Sequence, residues 1–310
     1  MIVLFYGIIA VICASLLLGI IPSVNKLILL SGMSSGCIVF LTYLTSAAGM
    51  LFIILIRRES FRVRPVQLFT LLFTGFAGLG MTGFLLNMAY ELIPVGLATM
   101  LHFLYPSLVS VAMILFFRQR ITLLKSGAIL FSIAGMFLIA DLSDGLKFAG
   151  ILIALCSSLT YSFYFIINEK GCISALPLTV KFFYVSVGSS LMFGILTFSR
   201  NEFSLPSSPA VGAELFLIAG LGSMLAFFLI TYGIKKAGAS TSSFLNMLEP
   251  ITSLIVGSIL YQEYPSLLSL AGCTFVLFSV LLAALDSSRC ASSQSKPGRI
   301  CTAEPPQSKC

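Results

Sequence analysis

Charged residues are what this sequence has least of: Lys, Arg, Asp and Glu make up 9% of its 310 residues, whereas hydrophobic residues make up 58%. A typical soluble domain carries about 25% charged residues and roughly 45–50% apolar ones. With a mean hydropathy of +1.06, the chain is excluded as a water-soluble protein. The sequence also lacks a GxxxxGK(S/T) nucleotide-binding loop, and its longest breaks, 22–36 and 199–210, are too short for a soluble domain. Both observations argue against ATP-driven pumping by this chain alone.

Residue types that carry catalysis are equally scarce. The chain has one histidine, His102, and one acid well inside an apolar run, Glu249, so paired carboxylates, a metal cluster or a nucleophile with its base cannot be assembled. A thiol enzyme that uses Cys13 or Cys156 with His102 would fit the residue types, but nothing marks either cysteine as activated. We therefore predict a protein that is not an enzyme and that carries no metal and no cofactor.

What the sequence does contain is ten apolar runs, each close to the roughly 20 residues with which a helix crosses a bilayer. They lie near 2–21, 37–56, 67–89, 95–117, 122–140, 147–167, 178–198, 211–233, 239–260 and 266–285. The sequence thus predicts an all-α integral membrane protein with ten transmembrane helices. Residues 286–310 are rich in Ser, Pro, Gln and Lys, so we predict a disordered tail there.

The basic residues are distributed unevenly between the two ends of these runs. If the N-terminus is cytoplasmic, fifteen of the 18 Lys and Arg residues fall at the inner face, and only Lys26, Lys147 and Arg200 fall outside. This bias agrees with the positive-inside rule and with an even number of spans. The net charge of +7 therefore indicates orientation in a membrane and not binding to nucleic acid. We predict a multi-pass protein of the plasma (inner) membrane with both termini in the cytoplasm.

The second half of the chain repeats the first at offsets of 141 to 144 residues. An Ala-Gly-Leu-Gly motif at 77–80, for example, recurs at 219–222. Matches in the other spans keep the same order: Gly7 with Gly150, Cys13 with Cys156, Asn25 with Asn168, Tyr43 with Tyr184, and Pro106 with Pro250. Because each repeat, 1–140 and 147–285, has five spans, the second must enter the membrane from the opposite side. Inverted repeats of this kind are a recurrent design of secondary transporters.

Short motifs around the fourth and ninth spans narrow the comparison. They are Ala89-Tyr90, Ile93-Pro94-Val95-Gly96, Tyr105-Pro106, Leu248-Glu249-Pro250 and Gln262-Glu263. Over about residues 1–285 the chain resembles the EamA-type permeases of the drug/metabolite transporter superfamily. That family usually has a Gly-Glu pair after both spans; Glu263 matches it, but the first-half position is Gln119. The resemblance implies an inverted five-plus-five permease for amino acids, nucleotide-linked sugars, other metabolites or toxic compounds.

Glu249 is the strongest candidate for a residue that carries transport. A charge inside a bilayer costs on the order of 2.5–3.5 kcal/mol by insertion scales, so an acid in a span is a functional hypothesis by default. Pro250 removes a helical hydrogen bond beside it and can leave carbonyl groups facing a cavity. We predict that Glu249 binds either a coupling proton or a cationic group of the substrate. The alternative is a hydrogen-bonding residue that holds the bundle together.

Polar residues at helical spacing extend this site. Ser242, Asn246, Glu249, Ser253 and Gly257 would share one face of span nine, and the repeat places His102 opposite Asn246 and Tyr105 opposite Glu249. With a second stripe on span six, the predicted path for substrate and coupling ion is His102, Tyr105, Asn246, Glu249, Ser242, Ser157, Tyr161, Tyr164 and Asn168. Candidate gates or hinges are Tyr90, Pro106, Tyr232 and Pro250. The alternatives are that His102 is a packing residue and that the two gate tyrosines are interfacial anchors.

Taken together, these patterns predict a secondary transporter of small organic metabolites or drugs that works by alternating access. Its partners would be the lipid bilayer, a small-molecule substrate and a coupling proton. A passive facilitator or channel is the main alternative, a non-transporting scaffold is a further one, and the sequence leaves homodimer formation open. We expect His102, Tyr105, Asn246 and Glu249 to border one cavity beside span six.

Overall fold

The computed structural model describes residues 2–93, 95–117, 119, 122–139, 148–261 and 267–294, and this part of the chain consists of helices joined by loops, without strands. Its helices are α1 (Ile2–Leu18), α2 (Ile21–Leu30), α3 (Ser35–Arg57), α4 (Pro65–Phe73), α5 (Met81–Leu92), α6 (Val95–His102), α7 (Tyr105–Phe117), α8 (Leu123–Ile139), α9 (Phe148–Lys170), α10 (Leu178–Ser199), α11 (Pro209–Ala213), α12 (Ser223–Ala237), α13 (Ala239–Leu245), α14 (Leu248–Tyr261) and α15 (Leu267–Gln294). Two π-helical segments, π1 (Thr74–Gly80) and π2 (Glu214–Gly222), join α4 to α5 and α11 to α12. The all-helical fold class is confirmed.

Six helical stretches in the described residues are long and apolar enough to cross a bilayer: Leu4–Leu30, Ser35–Arg57, Pro65–Leu92, Phe148–Lys170, Leu178–Ser199 and Pro209–Ala237. Tyr105–Phe117, Leu123–Gly135 and Leu270–Ala283 are shorter apolar helices. The surface of the bundle is apolar as well, since Phe52, Phe116 and Ile259 are each about two-thirds exposed or more. Hydroxyl groups lie inside instead, as where Ser46 donates a hydrogen bond to the Gly220 carbonyl. This distribution suits a lipid surrounding.

The first apolar run extends further than the sequence predicts. It was expected to end near residue 21, but after a short break at Gly19 and Ile20 the chain continues as α2 to Leu30. Pro22 lies in the first turn of α2, where a missing N–H is tolerated because first-turn N–H groups have no helical partner. Asn25 therefore lies within the spanning length and not at its end.

The last helix is also longer than expected. The disordered tail was expected to begin at residue 286, whereas α15 continues to Gln294. Neither Gly nor Pro interrupts the chain before Pro297, so no residue stops the helix there. Asp286 also accepts a 2.5 Å hydrogen bond from the Thr122 hydroxyl, which ties this stretch to α8. Residues 295–310 lie outside the described residues, as does Glu263.

Two helices break one turn before a proline. Pro106 and Pro250 have no N–H with which to continue the helical bonding. The chain tightens instead, with Leu104 N bonding the Leu101 carbonyl at 3.3 Å and Met247 N bonding the Phe244 carbonyl at 3.0 Å. These tightened turns are the breaks between α6 and α7 and between α13 and α14. The predicted single face from Ser242 to Gly257 assumes a continuous helix, which the break between α13 and α14 interrupts.

Glycines allow the closest helix contacts. A Cβ on Gly75 of π1 would lie 2.0 Å from the Val185 carbonyl oxygen of α10, so no larger residue fits. At the α1–α2 break, a Cβ on Gly19 would lie 2.8 Å from the Glu249 carbonyl oxygen and 2.4 Å from Thr252 Cβ. These contacts agree with small residues acting in helix packing.

Candidate functional site

A cavity of about 100 Å³ lies between the two helix breaks, bounded by α1, α2, α3, π1, α5, α6, α9, α12 and α14. A water molecule takes up about 30 Å³ of liquid volume, and typical ligand pockets measure roughly 300–1,000 Å³. In this conformation the cavity is thus narrow, and a bound organic solute requires it to widen. Of the residues predicted for the path and the gates, Tyr90, His102, Tyr161 and Glu249 line its wall.

Glu249 is held by one neutral hydrogen-bond donor, the amide of Asn246. The Asn246 Nδ2 group donates at 3.0 Å to Glu249 Oε2 and at 3.0 Å to the Tyr105 hydroxyl. Ser15 Oγ donates at 3.0 Å to Asn246 Oδ1, and Tyr105 donates at 3.2 Å to the Ser243 carbonyl. Within the described ranges no Lys, Arg or His forms an ion pair with Glu249. A proton or a bound cation could therefore supply the missing positive charge.

His102 is fixed by span six. Its Nδ1 atom lies 3.0 Å from Ser157 Oγ, and Ser157 Oγ donates its own proton to the Ala154 carbonyl at 2.6 Å. If Ser157 gives its single proton to the Ala154 carbonyl, it accepts from His102 Nδ1; which ring nitrogen carries the proton depends on the tautomer. The His102 ring lies 5.3 Å from Tyr105 and 5.1 Å from Tyr161, between ring centroids. The histidine thus belongs to a packed aromatic cluster with one edge on the cavity.

Tyr105 and Asn246 do not line the cavity, so the expectation that they border it together with His102 and Glu249 is wrong. Both are fully buried behind its wall. The physical reason is the α13–α14 break, which turns the Asn246 side chain toward Ser15 and Tyr105. The structure nevertheless connects Tyr105, Asn246 and Glu249 through direct hydrogen bonds.

The remaining predicted path residues lie away from the wall. Ser157 supports His102, and Ser242 is fully buried with a hydroxyl that has no partner. Further along α9, Tyr164 bonds the Thr231 hydroxyl at 2.6 Å, and Asn168 donates to the Tyr164 carbonyl at 2.8 Å. Both side chains are buried, so the span-six stripe faces into the bundle.

The candidate gates differ from one another. Tyr90 lines the cavity, whereas Tyr232 does not and instead has Lys236 Nζ at 5.8 Å from its ring centroid. Pro106 and Pro250 are buried just after the helix breaks, where they end the regular bonding of α6 and α13.

Two amides on the wall have no place in the predicted path. Asn25 of α2 donates from Nδ2 to Asn87 Oδ1 of α5 at 3.4 Å, and both residues line the cavity. Asn87 is 1% exposed. An amide in the middle of an apolar run is costly unless it is bonded, and that cost is the signal by which Asn87 could have been found.

At the end of the bundle away from the cavity, Glu169 joins three helices. Its Oε2 atom accepts a hydrogen bond from the Ala239 backbone N–H at the start of α13, and its Oε1 atom lies 2.9 Å from Lys170 Nζ. Lys170 Nζ in turn lies 5.9 Å from the Phe117 ring centroid at the end of α7. We call this set of contacts the Glu169 latch; it links the ends of α7 and α9 to the start of α13.

Comparisons with known proteins agree with this architecture. A solved crystal structure matches 90% of this chain and 98% of its own length, with a TM-score of 0.75 and 17% identity, which shows the fold alone. An uncharacterized transporter of Archaeoglobus fulgidus is 26% identical over 53% of this chain and 58% of its own length, so the match spans just over half of that relative. The uncharacterized transporter YdfC of Bacillus subtilis is 24% identical over 73% of this chain and 74% of its own length. The uncharacterized inner membrane transporter YicL of Salmonella typhimurium is 26% identical over 62% of this chain and 65% of its own length.

The model of the EamA-like transporter family matches residues 5–140 and 148–285, one copy in each half of the helical bundle. These two matches cover most of the chain and confirm the resemblance inferred from its motifs. This multi-pass membrane protein belongs to the EamA-like transporter family.

Proposed function

We propose that this protein is a secondary transporter that moves small organic solutes across the plasma (inner) membrane by alternating access. The observation that carries the proposal is Glu249, a carboxylate without an ionic partner among the described residues, on the wall of a cavity inside the bundle. Acids inside membrane spans are rare and typically mark substrate or ion pathways, proton relays or ligand counter-ions. The inner-membrane location follows the name of the YicL relative.

Recurring backbone irregularities support two equivalent repeats. The described residues contain two non-glycine residues with positive φ, Arg58 (52°) and Asn201 (55°), which lie 143 positions apart. Each comes after a long helix, and the next residue closes the helix end with the same type of bond, from Glu59 N to the Ile54 carbonyl and from Glu202 N to the Thr197 carbonyl. Such residues are uncommon in proteins, and hydrophobicity does not dictate them. Their recurrence therefore supports a repeated structural unit, as do the paired segments π1 and π2.

Helix contacts support a two-fold relation between the repeats. α3 packs on α10 and α8 on α15, so these helices contact their own counterparts, while the α1–α12 contact has its counterpart in α5–α9. A two-fold axis generates this pattern. With five spans in each repeat, ten in all, the axis lies in the membrane plane and the repeats are inverted.

In this proposal the cavity and the Glu169 latch lie at opposite ends of one pathway. With a cytoplasmic N-terminus, the cavity occupies the outer half of the bundle and the latch closes the inner half. In alternating access the two repeats exchange conformations, so that the outer half closes and the inner half opens.

Flux measurements test this proposal against a channel. A thermal-shift screen with metabolites first identifies a ligand, because a ligand that binds the folded state raises its apparent stability. In proteoliposomes a carrier shows saturable uptake and counterflow of that ligand. Uptake that rises linearly with concentration and shows no counterflow would favour the channel.

Labelling in intact cells tests the topology. In a cysteine-free variant, Ser143→Cys should react with a membrane-impermeant maleimide, because the inverted arrangement puts the loop between the repeats outside. Ser60→Cys, on the exposed loop after α3, is the matched control and should react only after permeabilisation. The reverse result at Ser143 would contradict both the ten spans and the inversion.

A further inference from the structure

We infer that Asn25 and Asn87 form a second polar subsite in the cavity, which binds a neutral amide-like group of a substrate whose ammonium group pairs with Glu249. The inference rests on the proposed transport function and on the cation-binding role of Glu249.

The two amides are only partly satisfied. Asn25 Nδ2 donates to Asn87 Oδ1 at 3.4 Å, a long hydrogen bond, while Asn25 Oδ1 and Asn87 Nδ2 are buried without partners. If both amides were turned around, the roles would exchange and one acceptor and one donor would still remain. A buried polar atom without a partner is costly, so this pair is suited to a ligand that offers both a donor and an acceptor.

The rest of the wall determines which charge the ligand carries. Among the described lining residues Glu249 is the one carboxylate, and none is Lys or Arg. The walls include the aromatic rings of Tyr43, Tyr161 and Phe227, which attract an ammonium group through their π faces. A substrate carboxylate or phosphate would lie without a cationic partner near Glu249, which is unfavourable. The cavity therefore selects organic amines and disfavours acids.

The helix geometry sets the distance between the two groups. Gly19 packs on the Glu249 carbonyl, and Asn25 follows six residues later along the α1–α2 segment. Taking a helical rise of 1.5 Å per residue, Asn25 lies roughly 9 Å along this segment from the contact of Gly19 with the Glu249 backbone. The narrow cavity favours an unbranched connection of that length. The expected ligand is thus a linear amine with a carboxamide or a similar neutral group at its other end.

Three matched compounds test the inference by calorimetric titration of the full chain in lipid nanodiscs. They are 6-aminohexanamide, hexylamine, which lacks the amide, and 6-aminohexanoate, which carries a carboxylate in its place. Since a neutral hydrogen bond contributes about 1 kcal/mol, we expect 6-aminohexanamide to bind roughly five- to tenfold more tightly than hexylamine. We expect 6-aminohexanoate to bind most weakly. Absence of binding for all three compounds, or tighter binding of the carboxylate, would overturn the inference.

Two substitutions of Asn87 make the test specific. Asn87→Leu keeps the size and removes the polar group, so 6-aminohexanamide should lose its advantage while hexylamine binding is kept. Asn87→Asp replaces the free donor by a carboxylate and should shift the preference to 1,6-diaminohexane. Thr197→Val is the control, because Thr197 is also buried with an unpartnered hydroxyl but does not line the cavity. It should leave all preferences unchanged.

Glu249→Gln separates the two proposals. If it abolishes binding of both amines while Asn87→Leu and Asn87→Asp leave the amide preference intact, the subsite is wrong and the role of Glu249 stands. If it leaves amine binding unchanged while both Asn87 variants lose the amide preference, the amide subsite stands, and the Glu249 role and the ammonium pairing are wrong.

Discussion

The break between α6 and α7 contributes His102 and Tyr105 to the centre of the bundle, and the break between α13 and α14 contributes Asn246 and Glu249. The backbone irregularity is similar in the two places, but the first pair is aromatic and neutral and the second contains an acid. The two sites are not independent, because Asn246 bonds both Tyr105 and Glu249. The comparison shows that a similar backbone irregularity carries different side chains in the two halves of the chain.

The largest expected effect comes from removing the charge on the acidic side. Glu249→Gln nearly preserves size, and interactions with a charged group contribute about 1.5–3 kcal/mol, so we expect transport to fall roughly ten- to 100-fold. A proton-coupled carrier would lose pH-driven accumulation and retain some exchange of identical substrates, whereas a cation-binding role would cost affinity in both assays. Tyr105→Phe, at the equivalent position of the first repeat, is the matched variant and should lower transport by less than tenfold. Uptake like that of the wild type, with unchanged pH dependence, would leave Glu249 a structural residue.

A smaller effect is expected at the Glu169 latch. Glu169 bonds the first N–H of α13, whereas the equivalent residue 143 positions earlier is Lys26, which cannot accept such a bond. Loss of one hydrogen bond costs about 1 kcal/mol, so Glu169→Ala should make the inner end open roughly fivefold more often. The measurement is the rate at which a maleimide added from the inner side labels Ser242→Cys, a buried position whose hydroxyl has no partner to lose. Lys26→Ala should leave this labelling rate unchanged. A similar increase in both variants would contradict the predicted difference between Glu169 and Lys26.

The smallest effect concerns the two tyrosines at matched positions. Tyr90 lines the cavity and Tyr232 does not, so their hydroxyl groups should differ in importance. We expect Tyr90→Phe to weaken ligand binding by a few-fold, about the contribution of one hydrogen bond, and Tyr232→Phe to change it less than twofold. Titration of both variants with the same ligand checks this. Equal losses would mean that the two positions act alike.

The sequence predicted the helical class and the family correctly because long apolar runs and short proline motifs are local signals. Glu249 was also identifiable, since an acid is rare inside such a run. The details of the site depend on helix breaks that periodicity does not contain. Asn246 left the predicted face because the chain tightens before Pro250, and Asn25 entered the spanning length because α2 continues after Gly19. The contact between Asn25 and Asn87 joins residues 62 positions apart, which no local pattern indicates.

The contact of Gly19 with the Glu249 carbonyl has a mechanical consequence. Since even a single methyl group on Gly19 would lie 2.8 Å from that oxygen, the α1–α2 segment and α14 are in close backbone contact there. If α1 and α2 tilt, the backbone segment that carries the Glu249 carboxylate has to move with them, because the two segments are in direct contact at this point. We therefore expect the tilt of α1 and α2 and the hydration of Glu249 to be coupled through the contact at Gly19.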